Sequence, residues 1–192
     1  TIQPVLFRML ITSQTEKGGA PYTLGSLVNT AYAFGLFVTG CQLLQALIFT
    51  LWPLPMARRR KQRIVQWSIH HMTRGFLRAM VTTKTIRLND TGETFAKPAV
   101  VIANHQSFID ILVLLSICPK AVMVTNGWVW RSPVFGRIVR YLGFYHASDG
   151  YEHLAPALAQ KVAEGYSVIV FPEGTRSADG KIKRFHKGAF YL

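Results

Sequence analysis

From Leu24 to Pro55 the chain reads "LGSLVNTAYAFGLFVTGCQLLQALIFTLWPLP", an apolar run weakened only by scattered polar residues such as Asn29, Gln42 and Gln45. Roughly 20 apolar residues suffice to span a bilayer, so residues 24–56 are expected to form a membrane anchor. The run lies too far inside the chain, and is too long, for a secretory h-region of about 7 to 15 residues. Trp52 falls at the expected interface, and Pro53 and Pro55 end the helix. A hairpin that re-enters the same leaflet, bent at Gly35 and Gly40, is the alternative. Downstream, Ile64, Val65, Ile69, Met72, Phe76, Leu77 and Met80 recur every three to four residues, which predicts an amphipathic helix within residues 57–90.

After Asp90 the texture changes to short apolar runs alternating with helical patterns. "AVVIA", "KAVMVT" and "YSVIVF" read as buried strands. "FGRIVRYL" and "YEHLAPALAQKVAEG" read as helices, the second closed by Gly165. This alternation predicts an α/β fold, a central sheet flanked by helices, in which active groups gather where strands end.

Charge changes the picture of the N-terminal half. The net charge is +13, yet nothing from Gly18 to Ala57 is charged. "RRRKQR" comes at once from Arg58 to Arg63, and no acidic residue occurs between Arg58 and Arg87. A basic flank of this kind places the chain beyond Arg58 on the cytoplasmic side of a membrane. The basic helix suits a surface of anionic headgroups, and equally a helix packed on its own domain with a solvated outer face. A nucleic-acid binder has only the charge in its favour, because no nucleic-acid motif accompanies it. Cys41 and Cys118 are isolated thiols without metal-ligand spacing, and are expected to be reduced packing residues. His70 and His71 are adjacent on one helix, face different directions, and do not make a metal pair.

Two apolar runs break off into polar residues just after a predicted strand. In "VVIANHQSFIDILVLL", His105 can sit in the loop leaving the strand while Asp110 lies in the first turn of the next helix. A carboxylate on one ring nitrogen fixes the tautomer and leaves the other nitrogen to take a proton. No cysteine is near, and Ser107 is too close in sequence to be activated, so the pair suits deprotonation of a substrate hydroxyl. Alone, the same two residues equally describe a structural, hydrogen-bonded histidine. In "VIVFPEGTRS", Pro172 ends the strand, Gly174 permits close approach, Glu173 and Thr175 suit a polyol's hydroxyls, and Arg176 presents a fork of donors to phosphate or carboxylate. A tight turn with a surface ion pair is the plainer reading. A metallohydrolase built on His105 and Asp110 lacks further ligands at usable spacing.

Taken together, "NHQSFID" and "FPEGTRS", in this order and about 70 residues apart, resemble the glycerolipid acyltransferase family, especially its 1-acylglycerol-3-phosphate O-acyltransferases. The resemblance runs from about Pro98 to the end, making residues 91–192 an acyltransferase catalytic domain that stops before the family's last motif. It implies transfer of a fatty acyl group from acyl-CoA or acyl carrier protein to a lysolipid hydroxyl in phospholipid biosynthesis. His105 would be the general base and Asp110 its orienting partner. Asn104, Glu173, Gly174, Thr175 and Arg176 would bind the acceptor. No metal or resident cofactor is implied, since a thioester already has a good leaving group and the remaining task is oxyanion stabilisation. The implied partners are the lysolipid, the acyl thioester and a membrane with anionic lipids.

The chain departs from the family's pattern between the motifs. "TNGWVWRSPVFG" has Thr125 and Asn126 where a lysine is expected, and "GFYHASDG" has Ser148 and Asp149 near an expected arginine. Arg131, Arg137, Arg140 and His146 are the nearby substitutes, and an acceptor other than lysophosphatidic acid is the alternative. "TIQPVLFRMLI", in the flank 1–23, is similar to the end of the last helix of resistance-nodulation-type lipid exporters, behind which such domains are found fused. That similarity supports a rival function from another class: a non-catalytic lipid-binding domain of a larger lipid-transport protein.

Overall fold

The computed structural model describes residues 5–6, 11–13, 23–88, 97–105, 107–174 and 184–185. Three strands are buried or half-buried, largely apolar runs of the kind expected of a parallel sheet covered on both faces: β4 (Val100–Ile102), β5 (Ala121–Thr125) and β7 (Ser167–Val170), and the half-buried pair β6 (Tyr145–His146) joins them. With β1 (Val5–Leu6) at one edge they form a sheet in the order β1-β4-β7-β5-β6, parallel throughout. Val101, Val168 and Ile169 are completely buried at its centre. Because β4, β7, β5 and β6 all run the same way, the loops that leave them emerge along one edge of the sheet. Both polar interruptions are on that edge.

The helices are α1 (Leu24–Leu51), α2 (Arg58–Thr82), α3 (Phe108–Ile117), α4 (Gly127–Arg131), α5 (Gly136–Leu142) and α6 (Tyr151–Ala163). Thr23 caps α1, its hydroxyl accepting the Ser26 N–H at 3.2 Å. The helix runs unbroken through Gly35 and Gly40, so the bend considered at these glycines does not occur. The predicted helices "FGRIVRYL" and "YEHLAPALAQKVAEG" correspond to α5 and α6, and Gly165 lies just past α6 with φ +86°, a conformation that glycine adopts at no steric cost.

The basic helix α2 packs on α3, α1 and α5. Its apolar side, with Val65, Ile69, Leu77 and Met80, is buried in the protein, so only the polar side remains to face outward. Polar residues on the inner face are clasped to the domain: Gln62 Nε2 donates to the Tyr141 carbonyl at 2.9 Å and His70 Nδ1 to the Leu115 carbonyl at 3.1 Å. His71 turns instead to the Trp67 carbonyl of its own helix. Cys41 and Cys118 are free and buried, and burial pushes the Cys118 thiol up to about 12, far from a reactive thiolate.

In the N-terminal flank, Val5–Leu6 and Ile11–Ser13 are strands, and the rest of residues 1–22 lies outside the described residues. The first, β1, pairs in parallel with β4, and the second, β2, pairs antiparallel with β3 (Ile86–Leu88).

Candidate active site

The loop after β4 carries His105, and α3 begins shortly beyond it. Ser107 is the N-cap: its hydroxyl accepts the Ile109 N–H at 3.2 Å, while Asp110 Oδ2 accepts the Ser107 N–H at 2.7 Å. This reciprocal capping box holds the Asp110 carboxylate at the start of the helix. From there Oδ2 also meets His105 Nδ1 at 3.3 Å. A carboxylate on Nδ1 fixes the ring proton there and leaves the lone pair on Nε2, the arrangement of a base. The His105 ring stacks on Phe171, centroids 4.2 Å apart, and its side chain keeps 15% of its surface exposed, enough for a ligand to reach.

The turn after β7 is tied to this loop. Pro172 and Glu173 are buried, the Gly174 N–H closes a turn on the Phe171 carbonyl, and Gly174 has φ +66°. Glu173 is only 3% exposed, and its Oε1 accepts the His105 backbone N–H at 2.9 Å. Through this bond Glu173 braces the loop that carries His105. A second brace comes from the loop after β5, where Asn126 Nδ2 donates to the Gly174 carbonyl at 2.6 Å. Thus the residue standing where the family's lysine is expected holds the "FPEG" turn. Three loops from three adjacent strands are joined into one unit.

Of the remaining expected residues, Asn104 is half-buried beside His105 in the same loop, and Thr175 and Arg176 lie outside the described residues. Among the substitute cations, Arg140 is bonded to the Trp130 carbonyl and Arg137 is exposed on α5. His146 and Arg131 converge: a Cβ placed on Gly127 would meet His146 Nε2 at 3.0 Å and Arg131 Nη2 at 3.7 Å. The Ser148 N–H donates to His146 Nδ1 at 3.2 Å, so the ring's other nitrogen, Nε2, is left to carry the proton and donate.

Beside this edge lies an apolar cavity of about 430 Å³, a size common for small-molecule sites. Leu36 and Phe37 of α1, Met72 of α2, Phe108 of α3, Trp128 of α4 and Phe135 line it, and Thr125 at the end of β5 brings it to the strand-end loops. Phe37, Phe108 and Phe135 form an aromatic cluster with centroids 4.8 to 5.9 Å apart. The bracing role of Asn126, the stacking of Phe171 and this cavity are not legible in the amino-acid sequence. Its single signal is that Asn126 departs from an expected lysine.

Comparison with known proteins gives this geometry a family. The Acyltransferase family model matches residues 68–192, nearly two thirds of the chain. The chain belongs to the Acyltransferase family. A chloroplastic 1-acyl-sn-glycerol-3-phosphate acyltransferase of Brassica napus is 35% identical over 99 residues, which are 50% of this chain and 29% of that protein. The human 1-acyl-sn-glycerol-3-phosphate acyltransferase beta is 32% identical over 105 residues, 50% of this chain and 37% of the relative. The chain therefore matches about a third of the length of these curated relatives. Its fold is that of the 1-acyl-sn-glycerophosphate acyltransferase PlsC from Thermotoga maritima, with a TM-score of 0.64, 23% identity, and coverage of 85% of this chain and 67% of that one.

Proposed function

We propose that this family member is a membrane-associated acyltransferase that moves a fatty acyl group from acyl-CoA or acyl carrier protein to the hydroxyl of a lysolipid such as 1-acylglycerol-3-phosphate. The observation that carries the reading is His105, held at Nδ1 by Asp110, with the base nitrogen Nε2 left over, just ahead of a helix whose Phe108 lines an apolar cavity. In this mechanism Nε2 takes the acceptor hydroxyl's proton as its oxygen attacks the thioester carbonyl carbon. The tetrahedral intermediate collapses with cleavage of the C–S bond, and the protonated His105 returns its proton to the departing thiolate. The products are an ester and a free thiol. The imidazolium formed between the two steps is stabilised by the Asp110 carboxylate.

The cavity suits a fatty acyl tail: apart from a few polar groups such as Thr39, Thr73 and Thr125, its lining is apolar. His146 and Arg131 are the groups we assign to an anionic headgroup, in place of the family's lysine and arginine. The lipid substrate and the exposed apolar residues Leu24, Leu27, Val28 and Phe34 of α1 both argue for association with a membrane, on the cytoplasmic face where acyl thioesters are made.

A screen of lysolipid acceptors, phosphorylated and unphosphorylated, against both thioester donors with mass-spectrometric detection tests the reading. The expected result is an esterified lipid from at least one phosphorylated acceptor, lost in Asp110→Ala. Absence of product in every combination, with retained lipid binding, would favour the non-catalytic lipid-binding domain.

A further inference from the structure

His146 and Arg131 are built into a cluster that specifies more than an anion. The Ser148 N–H donates to His146 Nδ1 at 3.2 Å, and the Ser148 hydroxyl meets the same nitrogen. A backbone N–H can only donate, so Nδ1 keeps its lone pair, and Nε2 carries the proton and is the donor. Trp130 holds the ring from another side, edge to face at 5.6 Å. Trp130 is fixed in turn: its Nε1 donates to Thr125 Oγ1 at 2.8 Å, and that hydroxyl donates to the carbonyl of Tyr145, the residue before His146, at 3.3 Å. Strand β5, helix α4 and strand β6 together lock one imidazole in place. Its Nε2 has no hydrogen-bond partner among the described residues.

The side chain that Gly127 lacks leaves Nε2 uncovered. A Cβ there would come within 3.0 Å of Nε2 and 3.7 Å of Arg131 Nη2, so any residue larger than glycine presses on the ring. Arg131 ends α4 one helical turn beyond Gly127; it is exposed, and among the described residues its guanidinium makes no ion pair. A ring N–H and a guanidinium brought to one place suit the oxygens of a phosphate. Asp149 adds the opposite charge. The His146 side chain folds over the start of the short 3-10 turn Ala147–Asp149, and side chains three apart on such a turn eclipse, so Asp149 rises on the side of His146. It too is exposed and, among the described residues, without an ion pair. A cation and an anion set around one imidazole, and not paired with each other, match a ligand that carries both charges.

We propose that the acceptor is a zwitterionic lysolipid: its phosphate accepts from His146 Nε2 and the Arg131 guanidinium, and its ammonium group donates to the Asp149 carboxylate. The inference rests on the acyl transfer proposed above and names the headgroup class of that acceptor. Phosphates also occur in the thioester donor, but the fold favours the acceptor's. Gly127 follows Asn126, whose amide is bonded to the Gly174 carbonyl in the turn that braces His105, so the cluster is joined directly to the unit that carries the base. In a glycerolipid a few bonds separate the reacting hydroxyl from the headgroup phosphate, whereas in the donor the whole pantetheine arm separates the thioester from its phosphates. The exposure of Arg131 leaves the outer side of the phosphate open, with room for the ammonium-bearing head beyond it.

The test measures kcat and KM of the full chain, with acyl-CoA or acyl carrier protein as donor, for lysophosphatidylethanolamine, lysophosphatidylglycerol and lysophosphatidic acid. The ethanolamine acceptor is expected to have the highest kcat/KM, by about two- to fivefold over the glycerol one, the scale of one exposed ion pair. Asp149→Asn is expected to erase that preference. Arg131→Gln is expected to raise the acceptor's KM about tenfold with kcat moving less, as the loss of a hydrogen bond to a charged group does. Gly127→Ala, which covers Nε2, is expected to raise the same KM, and Arg131→Gln reads the same pocket without touching the backbone. A preference for the glycerol acceptor or for lysophosphatidic acid, or an ethanolamine preference that survives Asp149→Asn, would overturn the zwitterion. A rise in the donor's KM instead of the acceptor's, in Arg131→Gln, would overturn the placing of the acceptor's phosphate. All of these results leave acyl transfer standing, whereas transfer to none of the acceptors would overturn this inference together with the function it rests on.

Discussion

At the scale of single residues, the base and the two braces make different predictions. Asp110→Asn keeps the size of the side chain but removes the charge that stabilises the imidazolium. It is expected to slow acyl transfer by about 100- to 1,000-fold, within the usual range of general-base effects, while circular dichroism stays unchanged. Asn126 touches no reacting atom in the proposed mechanism and acts through the Gly174 carbonyl. Misplacement by about 1 Å can cost ~100-fold, so Asn126→Ala is expected to lower kcat by about tenfold or more, with KM moving less. A change confined to KM would show that Asn126 binds the acceptor directly. His105 and Asp110 were legible in the sequence because their partnership is local, five residues apart across a helix start. The braces from Glu173 and Asn126 were not legible because their partners lie 68 and 48 residues away, and those distances close only through the strand order β4-β7-β5.

At the scale of elements, the cavity and the α2–α3 clasp are the features to perturb. Leu44 lies on the buried side of the cavity, and a larger side chain there shortens the space for a tail. Leu44→Trp is expected to reduce kcat/KM for long acyl donors relative to short ones by about 10- to 200-fold, the scale of discrimination in apolar pockets. Equal loss for all chain lengths would contradict the assignment. The clasp is sensitive to pH. Burial holds the His70 imidazole below its ordinary value, against the opposing effect of its hydrogen bond to Leu115. The unfolded chain therefore takes up this proton first as pH falls, and the stability from neutral His70 is lost below about pH 6.5. Between about pH 7.5 and about pH 5.5 the wild-type melting temperature is expected to fall farther than that of His70→Gln, and parallel falls would remove the role. β4, β5, β7, α2, α5 and α6 were legible because each keeps one period over its length, whereas β1 and β6, two residues each, are too short to show one. The cavity was not, because it is assembled from five helices and one strand whose packing no local pattern encodes.

At the scale of the whole molecule, hydropathy reads α1 as a free anchor because it averages over length and does not register that Cys41 to Leu51 are packed on the domain. The folded chain instead brings together a cavity bordered by α1, a basic outer face on α2 and a strand-end site. The central claim is that His105, braced by Asp110 and Glu173, is the base for acyl transfer. Its most direct measurement is the initial rate at which the membrane-bound full chain transfers a labelled acyl group to lysophosphatidic acid, wild type against His105→Ala. A loss of at least ~100-fold with undiminished lipid binding is predicted. Turnover by His105→Ala at the wild-type rate would contradict the account.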